Sequence, residues 1–225
     1  MVDGGGVNRL LPPDHRFRRL VQLYVGLALY GFSMALMIRA NLGLDPWDAF
    51  HQGIASHVPW TFGTVTIVVG AAVLLLWIPL RQRPGLGTIS NVVVIGLSVD
   101  AGLRALPIIS WTPGRWTFMV AAIVLNGIAG GLYIGAGLGP GPRDGLMTGL
   151  VLRTGGSIRV VRTGIELSVL AIGWLLGGTV GIGTALYAVG IGPIVHLTLP
   201  LLTVRGPAPE AAPASEDPDG LPAAA

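Results

Sequence analysis

The chain has 225 residues, of which 52% are hydrophobic and 11% charged, with a net charge of +3 and a mean hydropathy of +0.70. Apolar content on this scale has no use in a soluble core and points to membrane-spanning helices. All 14 basic side chains are arginine and there is no cysteine, which excludes a P-loop or Schiff-base lysine, disulfides, thiolate metal sites and cysteine nucleophiles.

Residues 1–15 carry Gly and Pro and read as a disordered cytoplasmic N-terminus. Arg16, Arg18 and Arg19 precede an apolar stretch from Leu20 that is too long for a signal peptide and lacks a small-x-small cleavage site, so it reads as a retained first helix. Six segments are long enough to span ~30 Å of hydrocarbon: Leu20–Ala40, Phe62–Leu80, Leu86–Ile108, Trp116–Gly137, Ile158–Gly177 and Ile182–Val204. Two shorter ones, Pro46–His57 and Pro142–Arg153, give roughly 18 Å of helix each and read as re-entrant or interfacial. Residues 206–225 are rich in Pro and Ala, carry acids but no base, and read as a disordered tail.

The body repeats itself. Leu42-Gly43-Leu44-Asp45-Pro46-Trp47-Asp48 returns as Leu138-Gly139-Pro140-Gly141-Pro142-Arg143-Asp144, a shift of 138 − 42 = 96 residues. From Tyr24 to Asp100 the shift gives 21 identities in 77 positions, against about 7 for this composition by chance. With a cytoplasmic N-terminus, six crossings place Arg9, Arg16, Arg18, Arg19, Arg81, Arg83, Arg143, Arg153, Arg159, Arg162 and Arg205 inside, and only Arg39, Arg104 and Arg115 outside, as the positive-inside rule favours. Each repeat then holds three crossings, so the second enters upside down. The expected fold is an all-α, polytopic membrane domain of six transmembrane helices and two short half-helices. Its two inverted repeats occupy residues 16–108 and 109–205.

Asp45-Pro46-Trp47-Asp48 opens a helix with an N-cap acid, a first-turn proline and an acid in the macrodipole's field. Its mate Gly141-Pro142-Arg143-Asp144 has the same grammar. Helix capping explains both. A second reading has the two N-termini converge near the midplane on a polar or anionic ligand, with Arg143, Asp144, Asp48 and Trp47 as binding residues. Arg159, Arg162 and Glu166 share a helix face, as a structural ion pair or a charge-coupling group. Asp100 and His196 are repeat mates that either couple protons or sit solvated near helix ends. Gly127, Gly131 and Gly135 form a smooth helix face for close packing, and for a homo-oligomer if the partner is a second copy.

No His-Glu-x-x-His zinc motif or Gly-x-Ser-x-Gly elbow is present. Ser98 with His196 is the one pair to weigh for intramembrane hydrolysis, and Val99 leaves no room beside the hydroxyl. No enzyme activity, cofactor, metal or nucleic-acid partner is expected, and no basic stripe favours nucleic acid.

Leu138-Gly139-Pro140-Gly141-Pro142-Arg143-Asp144-Gly145-Leu146, Val161-Arg162 with Glu166, and Gly177-Gly178 followed by Gly183-Thr184 resemble the YczE-like branch of the YczE/YyaS/YitT family of bacterial integral membrane proteins. The resemblance spans about Arg16 to Val204, and Asp45-Pro46-Trp47-Asp48 stands where a Pro-Trp-Asp element is expected. It implies an inner-membrane protein and lends no substrate. The functional expectation is a bacterial cytoplasmic-membrane transporter of a small molecule or ion, with both termini cytoplasmic. A membrane scaffold that moves nothing is the alternative, and an intramembrane hydrolase a remote one.

Overall fold

The computed structural model describes residues 14–204; of the segments expected to be disordered, 1–15 and 206–225, residues 1–13 and 206–225 lie outside the described residues, while Asp14 and His15 are described. Among these are eight helices and no strand: α1 (Arg16–Ala40), α2 (Pro46–Ala55), α3 (Phe62–Trp77), α4 (Leu86–Ala105), α5 (Thr112–Gly135), α6 (Pro142–Thr154), α7 (Ile158–Leu175) and α8 (Ile182–Leu202). Four of them, α1, α4, α5 and α8, are long and apolar enough to cross a membrane.

The other two expected crossings are shorter or more charged. Helix α3 has 16 residues, about 24 Å of rise, and ends at Trp77 rather than Leu80. There Gln82 N turns back to Trp77 O at 3.1 Å, and Arg81 adopts a left-handed conformation (φ 54°). Helix α7 has 18 residues and includes Arg159, Arg162 and Glu166.

The centre is the antiparallel pair α1 and α5, fastened at both ends by arginine. Arg19 Nη1 donates to Ala136 O at 2.8 Å, and Arg115 Nε donates to Ala40 O at 2.8 Å, with a further bond from Arg115 Nη2 to Asn41 O. A cation on the last carbonyls of a helix satisfies orphan acceptors and opposes the negative end of the macrodipole. Arg19 and Arg115 are 96 residues apart, and so are Ala40 and Ala136. Each half therefore caps the other half's first helix. Arg19 also bonds Asp14 Oδ2 at 2.6 Å, which holds the Asp14 carboxyl below the usual range.

The same exchange recurs in the loops. Gly87 N donates to Leu138 O at 2.7 Å, and Gly183 N to Leu42 O at 2.8 Å. Gly43 and Gly139 hold φ of 123° and 124°, a region closed to most L-residues. A Cβ on Gly43 would meet Gly181 N and Thr184 Oγ1 at 2.7 Å, and one on Gly139 would meet Thr88 Oγ1 at 2.8 Å. Helix α4 starts beside Leu138 and ends where Leu103 O accepts from Arg39, so it runs parallel to α1. Helix α8 starts beside Leu42 and ends at Gln22, whose Nε2 donates to Leu202 O at 2.5 Å. It runs antiparallel to α1, and hence opposite to its mate α4.

Gly127, Gly131 and Gly135 are buried, and α8 of the same chain fills their face. A Cβ at Gly127 would meet Ile194, at Gly131 Thr198, and at Gly135 the Leu202 carbonyl; Thr198 Oγ1 donates to Gly127 O at 3.1 Å. Of the two readings of this face, close intramolecular packing is the one these contacts display.

Candidate functional site: the meeting of the two short helices

Helix α2 begins as its sequence dictates. Asp45 Oδ1 accepts from Trp47 N at 2.9 Å and Asp48 N at 3.0 Å, Pro46 occupies the first turn and Asp48 follows. Helix α6 begins at Gly141 without a side-chain cap, again with proline in its first turn. Each short helix docks on a helix of the other half. Against α7, the backbones of Ala49 and Phe50 leave no space for a side chain at Gly173, and Gln52 Oε1 accepts from Thr179 N at 2.6 Å. Against α3, the Trp77 ring lies where a Cβ of Gly145 would go, and Trp77 Nε1 donates to Pro142 O at 3.0 Å.

This docking brings the two N-termini together. Arg143 Nη1 lies 3.7 Å from Asp45 Oδ1, and Nη2 lies 3.6 Å from Asp48 Oδ1. Its guanidinium carbon stands 5.1 Å from the centroid of the Trp47 ring, within cation–π range. The structure supplies Arg143 with two acids from the other half. Asp144 is exposed and accepts from Tyr133 Oη at 3.3 Å.

Asp48 is fully buried, and neither carboxylate oxygen makes a hydrogen bond. Besides Arg143 it has His51, whose Nδ1 lies 3.5 Å away. His51 Nδ1 and Trp47 Nε1 are also buried without hydrogen-bond partners. Sparse pairing of a buried carboxylate is expensive inside a protein. It is the local signature of a polar site rather than of an optimised fastening.

A cavity of about 140 Å³ opens here, walled by Asp45, Trp47, His51, Arg143, Asp144, Arg162 and Glu166, and by Tyr30, Tyr133 and Tyr187. It adjoins a second of about 410 Å³ that shares Tyr30, Tyr133, Asp144, Arg162 and Tyr187 and reaches His196 and Pro200. Arg162 Nε bonds Glu166 Oε1 at 2.9 Å, so the structural ion pair forms, and it lies on the cavity wall. Arg159 is exposed and makes no ion pair among the described residues.

Asp100 and His196 are not brought together. Asp100 accepts from Thr61 Oγ1 at 2.5 Å and Gly63 N at 2.8 Å, capping the start of α3, while His196 faces the second cavity. In this position the carboxylate serves an orphan amide at the start of a neighbouring helix. Ser98 and His196 share no hydrogen bond among the described residues, and Ser98 Cβ packs against the place where a side chain on Gly31 would stand.

Sequence reading missed His51 and the tyrosines. His51 follows Asp48 by three positions, so it lies on the same helical face. Three of the four tyrosines sit within apolar segments and line the cavity; a phenol there needs a polar partner. Tyr187 Oη finds one in Asn126 Oδ1 at 3.0 Å, and Asn126 Nδ2 in turn bonds Ser33 Oγ at 2.8 Å.

A model described as a family of unknown function (DUF6198) matches residues 17–200. The uncharacterized membrane protein YczE of Bacillus subtilis is 37% identical over 179 residues, covering 79% of this chain and 83% of that protein. The chain belongs to the YczE-like family. An uncharacterized protein of Haemophilus influenzae is 37% identical over 187 residues, covering 83% and 86%. The uncharacterized protein YyaS of Bacillus subtilis is 22% identical over 184 residues, covering 79% and 90%. No solved structure matches the chain. Family membership and four long apolar helices make this YczE-like chain a multi-pass helical membrane protein.

Proposed function

We propose that this YczE-like protein is a transporter of the bacterial cytoplasmic membrane that moves a small polar solute by alternating access. In this reading α1, α3, α4, α5, α7 and α8 all cross, both termini are cytoplasmic, and the halves are inverted repeats related by an axis in the membrane plane. The observation that carries it is the placement of Arg143, from the N-terminus of α6, between Asp45 and Asp48 at the N-terminus of α2 beside a cavity. Half-helix termini meeting at depth are how inverted-repeat transporters build a site.

Two further features support the reading. The exchanged hydrogen bonds of Gly87 with Leu138 and Gly183 with Leu42 are those of a pseudo-two-fold pair. In addition, Tyr133 and Val195 line the second cavity, whereas their repeat mates Met37 and Val99 are packed at 1% and 0% exposure. Alternating access requires this asymmetry, with the opposite state opening where Met37 and Val99 now close. The face once available for a scaffold interface is filled by α8.

In proteoliposomes on a solid-supported membrane, a panel of small cations, anions and zwitterions is expected to give a transport current for at least one member. Asp48→Asn and Arg143→Ala should each lower it by an order of magnitude or more while the proteins assemble at wild-type levels, about 1.4 kcal/mol per factor of ten. Unchanged current in both variants would overturn the site.

A further inference from the structure

Resting on the reading of this cavity as a transport site, we propose that its ligand is a small organic cation, an amine or quaternary ammonium. Arg143 is the resident cation that occupies the ligand's place in the described state.

Charge argues first. Asp45, Asp144 and Glu166 line the cavity and Asp48 stands behind it, against two cations, Arg143 and Arg162, so acids outnumber bases four to two at the site. Arg162 is committed to Glu166 at 2.9 Å. Arg143 is the cation that faces Asp45 and Asp48, at 3.7 and 3.6 Å, beyond hydrogen-bond length.

Independent of formal charge, the indole of Trp47 faces the cavity while only 5% exposed. The Trp47 face already holds a cation, the Arg143 guanidinium, at 5.1 Å. An indole face beside carboxylates, with tyrosines around, is the chemistry that recognises a cationic nitrogen.

The resident cation also supplies a coupling. Arg143 belongs to α6 and its acids to α2, so their ion pairs tie the two halves together at the centre. A ligand cation that takes over the carboxylates and the indole face releases that tie. Binding then favours relative movement of the halves through differential contacts, which a population shift requires.

The test is thermal-shift and calorimetric titration of the purified protein in detergent. Methylammonium and tetramethylammonium chlorides are compared with sodium acetate and sodium methylphosphonate at matched ionic strength. At least one cation should raise Tm saturably in the wild type, and Asp48→Asn should weaken it by about tenfold or more. Arg143→Gln, by removing the competitor, should tighten it. Saturable binding of the anions, a cation affinity that falls in Arg143→Gln, or no saturable cation shift in the wild type would each overturn the proposal. If Arg143→Gln does not fold, the wild-type and Asp48→Asn titrations still decide. Binding is read here without transport. A cation that binds but gives no current overturns the transporter reading and leaves this one standing, whereas a transported anion does the reverse.

Discussion

Asp48 and Asp100 are both acids in apolar surroundings, and the structure gives them different tasks. Asp100 is half-buried with both oxygens engaged, by Thr61 and by the Gly63 amide. Asp48 is fully buried with neither oxygen hydrogen-bonded. A saturated carboxylate stabilises a helix start, whereas an unsaturated one costs stability and is kept for another reason. Asp100→Asn should therefore lower the melting temperature, with a loss of about 1 kcal/mol for the weakened cap, and leave transport current and its pH profile at wild-type values. A shifted pH profile in that variant would restore Asp100 as a coupling group. The sequence could list both acids as suspects, since composition marks any intramembrane charge. It could not rank them, because ranking depends on which amides lie within reach across the fold.

At the scale of elements, the short helices were legible to within a residue or two. Proline, an N-cap acid and a first-turn acid mark a helix start locally, and α2 and α6 begin at Pro46 and Pro142 as expected. Their ends were less legible: α2 stops at Ala55 rather than His57, where Ser56 Oγ bonds back to Gly53 O and across to Leu176 O. The arginine fastening of α1 to α5 is present in the sequence as a pair 96 residues apart, but nothing local marks which carbonyls the two side chains reach. Arg19→Ala and Arg115→Ala each remove charged hydrogen bonds to C-terminal carbonyls of the facing helix. Each should cost about 1.5–3 kcal/mol, seen as a lower midpoint in thermal denaturation. If only one matters, the two ends are not equivalent clamps.

The whole molecule is a duplicated unit whose halves grip one another, with α2 on α7 and α6 on α3. Such an arrangement joins the halves at a shared centre while leaving each short helix attached to the opposite half. In the proposed topology α2 opens toward the outside and α6 toward the cytoplasm. Ser56 and Thr154 are both exposed, and the chain has no cysteine of its own. Single cysteines there should react with an impermeant maleimide from opposite faces of sealed vesicles: Ser56→Cys from outside and Thr154→Cys from inside. Labelling of both from one face would falsify the inverted topology and the alternating-access reading with it.

By itself the sequence determined that this is a helical membrane protein, that its halves echo one another at a shift of 96 residues, and where its short helices begin. All three follow from local quantities: apolar run length, residue-by-residue register and helix-start chemistry. Only the tertiary structure decided that Arg143 belongs with Asp45, Asp48 and Trp47 rather than with Asp144. Likewise, only the structure showed that Asp100 is a cap and that the Gly127, Gly131 and Gly135 face is spent on α8. Those assignments depend on which side chains meet across tens of residues of chain. Buried charges choose partners by proximity in space, and spacing along the sequence carries no record of it.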